Sequence, residues 1–288
     1  MGYDVRRHHF ESAGIVFGVG ACALAIANWR RYPTHATSSR ESAIAIAVPV
    51  TVALAAFWWT LDLGPLSDDF VLQRWARSGV WSPNEWAHLR PLPLALWQLT
   101  FASGGGWVAV HALNVALHAI NVGLVAALAG TLITPRAGLV AGVTFALVPS
   151  SIEAVAWSAG IFDLLATLCV LGATFVWIRW PAGLQQALVV LICSAAGVLS
   201  KETAFGIPLL LAGAALFRPA RGALERRMLL RTWALAVVMT GGLLAWRTVY
   251  SPAVGRHLYN LPADQRAWKD FLVRPFAALA VPFRTEAG

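Results

Sequence analysis

Charged side chains are scarce in this chain. Only 12% of its 288 residues are Asp, Glu, Lys or Arg, whereas a soluble domain carries about 25%. Hydrophobic residues make up 58%, so polar groups cannot cover a globular surface and a soluble enzyme or binding module is excluded. In a bilayer, helices satisfy their own backbone hydrogen bonds. The sequence therefore predicts an all-α, multi-pass membrane protein.

Cysteines and acidic residues are also few. The three cysteines all lie within apolar runs, neither pair nor have the spacing of metal ligands, and so say little about the redox compartment. There are 14 acidic against 22 basic residues. The basic residues are dispersed between the apolar runs, which argues against a nucleic-acid partner. The positive charge instead indicates contact with a membrane surface or with phosphate groups.

Apolar runs of near-spanning length recur along the chain. They cover about Ala13–Trp29, Ser42–Thr60, Trp107–Ile133, Arg136–Pro149, Gly160–Trp177, Leu184–Leu199, Ala204–Phe217 and Thr232–Trp246. A further run starts near Phe271, so about 8–9 transmembrane helices are predicted. The apolar stretch Pro91–Phe101 is too short to span, which favours a re-entrant or interfacial segment.

Two parts of the chain are expected. Residues 1–41 form an N-terminal segment, in which the first apolar run is an extra transmembrane helix, a hairpin or a surface helix. Residues 42–288 form the main transmembrane domain, which we expect to continue past Gly288 because its last apolar run stops short of spanning length.

Arginine-rich loops predict the orientation. Five arginines and a single acid, Glu225, lie between Arg218 and Arg231, which marks that loop as cytoplasmic. Counting spans from there places the Asp68-Asp69 loop and Lys201 on the outer side. The chain is therefore expected in the plasma (inner) membrane, with its polar loops facing the extracytoplasmic side.

The outer side nevertheless carries many cations, which the positive-inside rule does not predict. They are Arg74, Arg77, Arg90, Lys201, Arg247, Arg256, Arg266 and Lys269. Anionic lipid headgroups are one explanation. A phosphate-bearing substrate is the other, because Arg and Lys bind phosphate through charge-assisted hydrogen bonds.

Asp68 and Asp69 follow the apolar run Ser42–Leu61 and place two adjacent carboxylates at the membrane surface. One interpretation is that Asp68 caps a short surface helix beginning at Phe70. The alternative is that the pair serves chemistry or binds an ion.

Further polar residues fall on the same predicted face. Glu153 lies between two apolar runs. Asp163 follows at the start of the next run, where it is also compatible with a carboxylate at a helix N-terminus. Lys201 and Glu202 are adjacent, which fits either a local salt bridge or, as we favour, a polar cluster facing a cavity. His88 and Arg90 end the preceding long loop.

Four polar side chains form a stripe along one otherwise apolar span. His111, Asn114, His118 and Asn121 recur at spacings of three, four and three residues, which puts them on one helix face. Hydrogen bonding between helices is the favoured role. A metal site is only weakly indicated, because no carboxylate or cysteine joins the two histidines at ligand spacing.

The order of these elements resembles a known family. An acidic pair follows a span, a loop ends in Arg-Pro-Leu, and a helix reads His-Ala-Leu-Asn-Val-Ala-Leu-His. Pro-x-x-x-Glu-Ala-Val-Ala-Trp-x-x-Gly-x-x-Asp-Leu-Leu and Leu-Ser-Lys-Glu-Thr-Ala come later. Together, between about Ser42 and Phe217, they resemble the GT-C superfamily of polytopic glycosyltransferases. The closest likeness is to the transmembrane, tetratricopeptide-associated O-mannosyltransferases and their bacterial relatives.

The resemblance implies an inverting glycosyltransferase with a GT-C-like fold and an active-site loop on the outer face. Its donor would be a polyprenyl-phosphate-linked sugar, and its acceptor a hydroxyl of a glycan, lipid or protein. It would act without an organic cofactor, and a divalent metal stays an open alternative.

The resemblance also assigns roles to residues. Asp68 would be the general base and Asp69 would orient it. Substrate-binding roles go to His88, Arg90, Glu153, Asp163, Lys201, Glu202 and Arg247. The chain has Val148 and Ser151 where the relatives typically carry His, and Ile161 where they often carry Arg. A lipid-linked-sugar transporter and an inactive partner subunit are the alternatives.

Overall fold

The computed structural model describes residues 39–79, 90–218, 220 and 222–250, the last helix with side chains up to Trp246. Every regular element in these ranges is helical. The α-helices are α1 (Ser39–Phe57), α2 (Asp69–Arg77), α3 (Pro91–Ala102), α4 (Gly106–Leu132), α5 (Pro135–Leu147), α6 (Ser150–Ala156), α7 (Ile161–Arg179), α8 (Leu184–Val198), α9 (Ile207–Ala215) and α10 (Ala223–Tyr250). Three short 3-10 helices cover Trp58–Asp62, Ser158–Gly160 and Glu202–Gly206.

Four helical segments are long and apolar enough to cross a membrane. They are Arg40–Asp62, Gly106–Leu132, Ser158–Arg179 and Ala223–Trp246. Each matches one of the apolar runs predicted from the sequence, which confirms an all-helical architecture in the described residues and agrees with a multi-pass membrane protein.

The remaining predicted spans are shorter or broken. The run Arg136–Pro149 is a span only if α5 and α6, which meet at a bend of 64°, are counted as one. The runs beginning at Leu184 and Ala204 form helices of fewer than 18 residues. The described part of the chain therefore has four or five candidate spans. The runs Ala13–Trp29 and Phe271 onward lie outside the described residues, whereas the division predicted at residue 41 falls within α1.

Small residues allow α1, α4 and α5 to pack closely. A Cβ atom added at Gly138 would lie 2.5 Å from the backbone oxygen of Ala126, and one at Gly142 would lie 2.8 Å from the Pro49 side chain. Glycine at these positions lets the backbones approach to distances that a larger residue would prevent. This three-helix group forms one side of the bundle.

The helix bundle has two ends, which we name by residues that lie at them. α4 and α7 run in the same direction, because Asn114 bonds to the turn before α7 and Asn121 bonds to Leu164 within it. We call the end that carries Asp69 and the first turn of α7 the Asp69 end. The other, which carries the last turn of α7 and Arg218 beside it, is the Arg136 end.

Candidate functional site

Asp69 is the most deeply buried member of the acidic pair. Its side chain is fully buried, at the first residue of α2. The backbone N–H of Leu66 donates to Oδ2 at 2.8 Å, and the N–H of Ala159 donates to Oδ1 at 3.1 Å. The carboxylate therefore ties the loop before α2 to the turn before α7.

Burial raises the pKa of Asp69 above its ordinary value, because a low-dielectric surrounding disfavours the charged form. The neighbouring charge of Asp68 acts in the same direction. Hydrogen bonds from Leu66, Ala159 and the Ser158 hydroxyl oppose this shift, because each favours the ionised carboxylate. The pKa of Asp69 is therefore raised overall, although hydrogen-bond donors surround its carboxyl group.

Asp68 has a different environment from its neighbour. It is only half-buried, and its Oδ1 accepts a hydrogen bond of 2.7 Å from the Ser67 hydroxyl. It makes no side-chain capping bond to α2, which begins at Asp69 and not at Phe70. Asp68 thus occupies the N-cap position of α2 without the side-chain bond that the capping interpretation predicts.

The turn before α7 is shaped by polar residues of α4. The Asn114 amide nitrogen donates to the backbone oxygens of Val155, Trp157 and Ser158 at 3.0–3.4 Å. His111 Nε2 lies 3.3 Å from the Ser158 hydroxyl oxygen. These contacts fix the short segment whose Ala159 amide holds Asp69.

Gly160 completes this turn. A Cβ atom there would lie 1.9 Å from the backbone oxygen of Ala154, so any larger residue would force the backbone to move. The tight approach brings the end of α6 against the beginning of α7.

Two ion pairs lie at the same end of the bundle. Arg90 donates from Nη2 and Nε to the two carboxylate oxygens of Glu202, at 2.7 and 3.3 Å. Lys201 Nζ lies 2.6 Å from Asp163 Oδ1, with the lysine side chain only 6% exposed. Charged groups this far from water require such partners. The sequence-adjacent Lys201 and Glu202 thus join a polar cluster instead of pairing with each other.

The first turn of α7 connects these features. Ala159 precedes the helix and holds Asp69, the ring of Phe162 lies 5.4 Å from the Arg90 guanidinium carbon, and Asp163 pairs with Lys201. The structure therefore brings together five predicted site residues, Asp69, Arg90, Asp163, Lys201 and Glu202, around one helix end.

Three other predicted site residues are placed differently. Glu153 is exposed on α6, four residues before Trp157, whose backbone N–H bonds to its carbonyl oxygen. His88 lies outside the described residues. Arg247 belongs to α10, but its side chain also lies outside them.

The rest of the polar stripe on α4 bonds between helices, as expected. His118 Nε2 lies 3.3 Å from the carbonyl oxygen of Ala146, and the Asn121 amide donates to Leu164 at 3.0 Å. No group of three or more His, Cys, Asp or Glu side chains able to hold a metal ion occurs in the described ranges.

Two residues of this site were not singled out from the sequence. Ser158 links His111 to the acidic loop, and Phe162 lies against Arg90. Ser158 stands beside Gly160 in a short polar break between apolar runs, which was the available signal. Nothing in the sequence distinguishes Phe162 from the other apolar residues of the span.

Comparison with known proteins adds no relative: no protein-family model, curated protein or solved structure matches this chain.

Proposed function

We propose that this protein is an inverting glycosyltransferase of the GT-C type, which transfers a sugar from a polyprenyl phosphate to a hydroxyl acceptor at the Asp69 end. The observation that carries the proposal is the convergence of an acidic pair and two cations around the first turn of α7. A base and a phosphate-binding group within one site are what such a transfer requires.

Each group has a role in one displacement. Asp68 takes the proton of the acceptor hydroxyl as the acceptor oxygen attacks the anomeric carbon. The bond between that carbon and the phosphate oxygen breaks, and the polyprenyl phosphate leaves with the electron pair. Arg90 and Lys201 stabilise the negative charge on this leaving group. Attack opposite the leaving group inverts the configuration at the anomeric carbon.

The difference in burial supports the division of roles between the two acids. Asp69 has its oxygens engaged by backbone amides and is fully buried, which suits a group that positions the loop. Asp68 is half-buried beside it, which suits a base that must meet an acceptor.

The test is sugar transfer by the purified protein in nanodiscs, with a polyprenyl-phosphate-linked sugar as donor. Asp68→Asn should lower the rate by about 10²–10⁴-fold, because a neutral amide cannot accept the proton. Asp62→Asn, which removes an exposed carboxylate on the same connection, should leave the rate unchanged. A fully active Asp68→Asn protein would refute the assignment of the base.

A non-catalytic role is the second candidate, and one observation favours it. Both cations already have carboxylate partners, so the cluster Arg90, Asp163, Lys201 and Glu202 sums to zero charge. A neutral cluster can bind and release an anionic lipid without breaking a bond. Movement of the donor lipid between leaflets by a protein without transferase activity would favour this transporter.

A further inference from the structure

A buried chain of hydrogen-bonding groups runs from the membrane-spanning helix α4 to the acidic loop. His111, Ser158 and Asp69 are each fully buried. His111 Nε2 lies 3.3 Å from the Ser158 oxygen, and the Ser158 hydroxyl lies close enough to Asp69 to favour its charged form. Buried polar groups of this kind are costly unless they satisfy one another.

The chemistry of the three groups gives the chain a direction. An ionised carboxylate only accepts hydrogen bonds, so the Ser158 hydroxyl donates to Asp69. The Ser158 oxygen then accepts from His111 in the tautomer that carries its proton on Nε2, and the backbone oxygen of Leu63 is a second hydrogen-bond partner of the same ring. The chain therefore supplies Asp69 with a third hydrogen-bond donor, in addition to the two backbone amides already bonded to its carboxylate.

We propose that His111 and Ser158 are positioning residues, which hold the Asp69 side chain in place so that the neighbouring Asp68 is presented for reaction. This inference rests on the proposed function for its kinetic part, whereas its structural part concerns the loop alone. Neither residue touches a reacting atom. Their effect reaches Asp68 through the turn Leu66–Asp69, which Asp69 closes with its own side chain and backbone N–H.

Charged groups on the elements that pack against α2 and α4 do not take the place of this hydrogen-bonding chain. α3, which packs on α2, has no titratable side chain between Pro91 and Ala102. Asp62, Glu153 and Asp163 lie on elements that contact α4 near His111. All three are acids and cannot supply a hydrogen-bond donor when ionised. The charged residues of α1 and α5, namely Arg40, Glu41 and Arg136, lie at the Arg136 end.

The first arm of the test measures hydrogen–deuterium exchange in nanodiscs at neutral pH and needs no sugar transfer. Ser158→Ala and His111→Leu should speed exchange of the Leu66 and Ala159 amides, because both donate to a carboxylate that is then less well held. His111→Gln should restore protection, since its amide supplies a donor. The matched control is His118→Leu, which removes the same residue type and its bond to Ala146 from the same helix.

The second arm measures the pH profile of transfer. Ser158→Ala should lower kcat by about 10- to 100-fold with little change in KM. It should also move the acidic limb of the profile, which reports the Asp68–Asp69 pair as a unit, to higher pH. His118→Leu should leave that limb in place.

The outcomes separate the two proposals. Wild-type protein without transfer activity refutes the proposed function, and the exchange arm still decides on the chain. The inference is overturned if the Leu66 and Ala159 amides are as well protected from exchange in Ser158→Ala as in the wild type. The inference is also overturned if Ser158→Ala is active and the acidic limb of its pH profile lies at the same pH as in the wild type.

Discussion

The two ends of the bundle use charge in different ways. At the Asp69 end, Arg90 and Lys201 each have a carboxylate partner, and Lys201 is almost fully buried. At the Arg136 end, Arg218 pairs with Glu225, but six other arginines are exposed: Arg40, Arg136, Arg179, Arg226, Arg227 and Arg231. The unbalanced end fits a membrane surface, where arginines set orientation. At the Asp69 end, Arg74 and Arg77 of α2 are also exposed, but the four charges of Arg90, Asp163, Lys201 and Glu202 are paired with one another, which fits a site.

The largest effect expected from this comparison is the sidedness of labelling. In a protein whose native cysteines are replaced, Ser67→Cys and Ala223→Cys place thiols at exposed positions of the two ends. A maleimide that cannot cross the membrane should label position 67 in intact cells. It should label position 223 only after permeabilisation. Labelling of both positions in intact cells would contradict the predicted orientation.

The next effect separates the two arginine–glutamate pairs. Arg90→Ala should lower transfer by about 10²-fold, because it removes a cation that stabilises the leaving phosphate. Arg218→Ala removes a comparable pair at the other end, where the Arg218 and Glu225 atoms lie 2.9 Å apart. It should leave transfer per folded protein unchanged. Equal losses in the two variants would mean that both pairs serve only the fold.

The smallest effect concerns the pH dependence of stability. Because the pKa of Asp69 is raised in the folded protein, folding favours its protonated form. Its contribution to the free energy of unfolding is therefore fully present below the unfolded-state pKa, about 3.9, and is lost as the pH rises through the folded-state value. Thermal unfolding in nanodiscs should show the wild type losing stability relative to Asp69→Asn as the pH rises. A reversed trend for Asp69→Asn would contradict the sign.

In this prediction, the stability of the fold and the proposed function favour different protonation states of Asp69. Folding favours a protonated Asp69, whereas the donors around it, and the chemistry we propose for its neighbour, favour the ionised form. Such an opposition is common where buried ionisable groups serve a site.

Much of the architecture could be predicted from the sequence. The long apolar runs predicted four helices that the structure contains, because spanning a bilayer demands a length that composition reveals directly. The polar stripe on α4 predicted bonds between helices, since its spacing leaves the side chains on one face and an apolar surrounding leaves them no other partners.

The pairing of charges could not be predicted in the same way. Lys201 and Glu202 are adjacent, but Lys201 has an extended backbone, with φ −158° and ψ 153°. An extended residue sends neighbouring side chains in opposite directions, so the two reach Asp163 and Arg90 instead of each other. Adjacent carboxylates are equally ambiguous. The structure has a turn at Ser67, with φ 51°, just before the pair, and it buries Asp69 while leaving Asp68 half-buried.

The polar stripe on α4 has a consequence for how the chain enters the membrane. The acceptors of His118, Asn114 and Asn121 lie on α5, on the turn before α7 and in α7, from 28 to 44 residues later in the chain. Synthesis proceeds from the N-terminus, so α4 leaves the ribosome before the segments that carry these acceptors. Polar side chains alone in hydrocarbon are costly. The helix must therefore be retained beside the insertion machinery, or be tolerated by the bilayer, until the helices that satisfy it arrive.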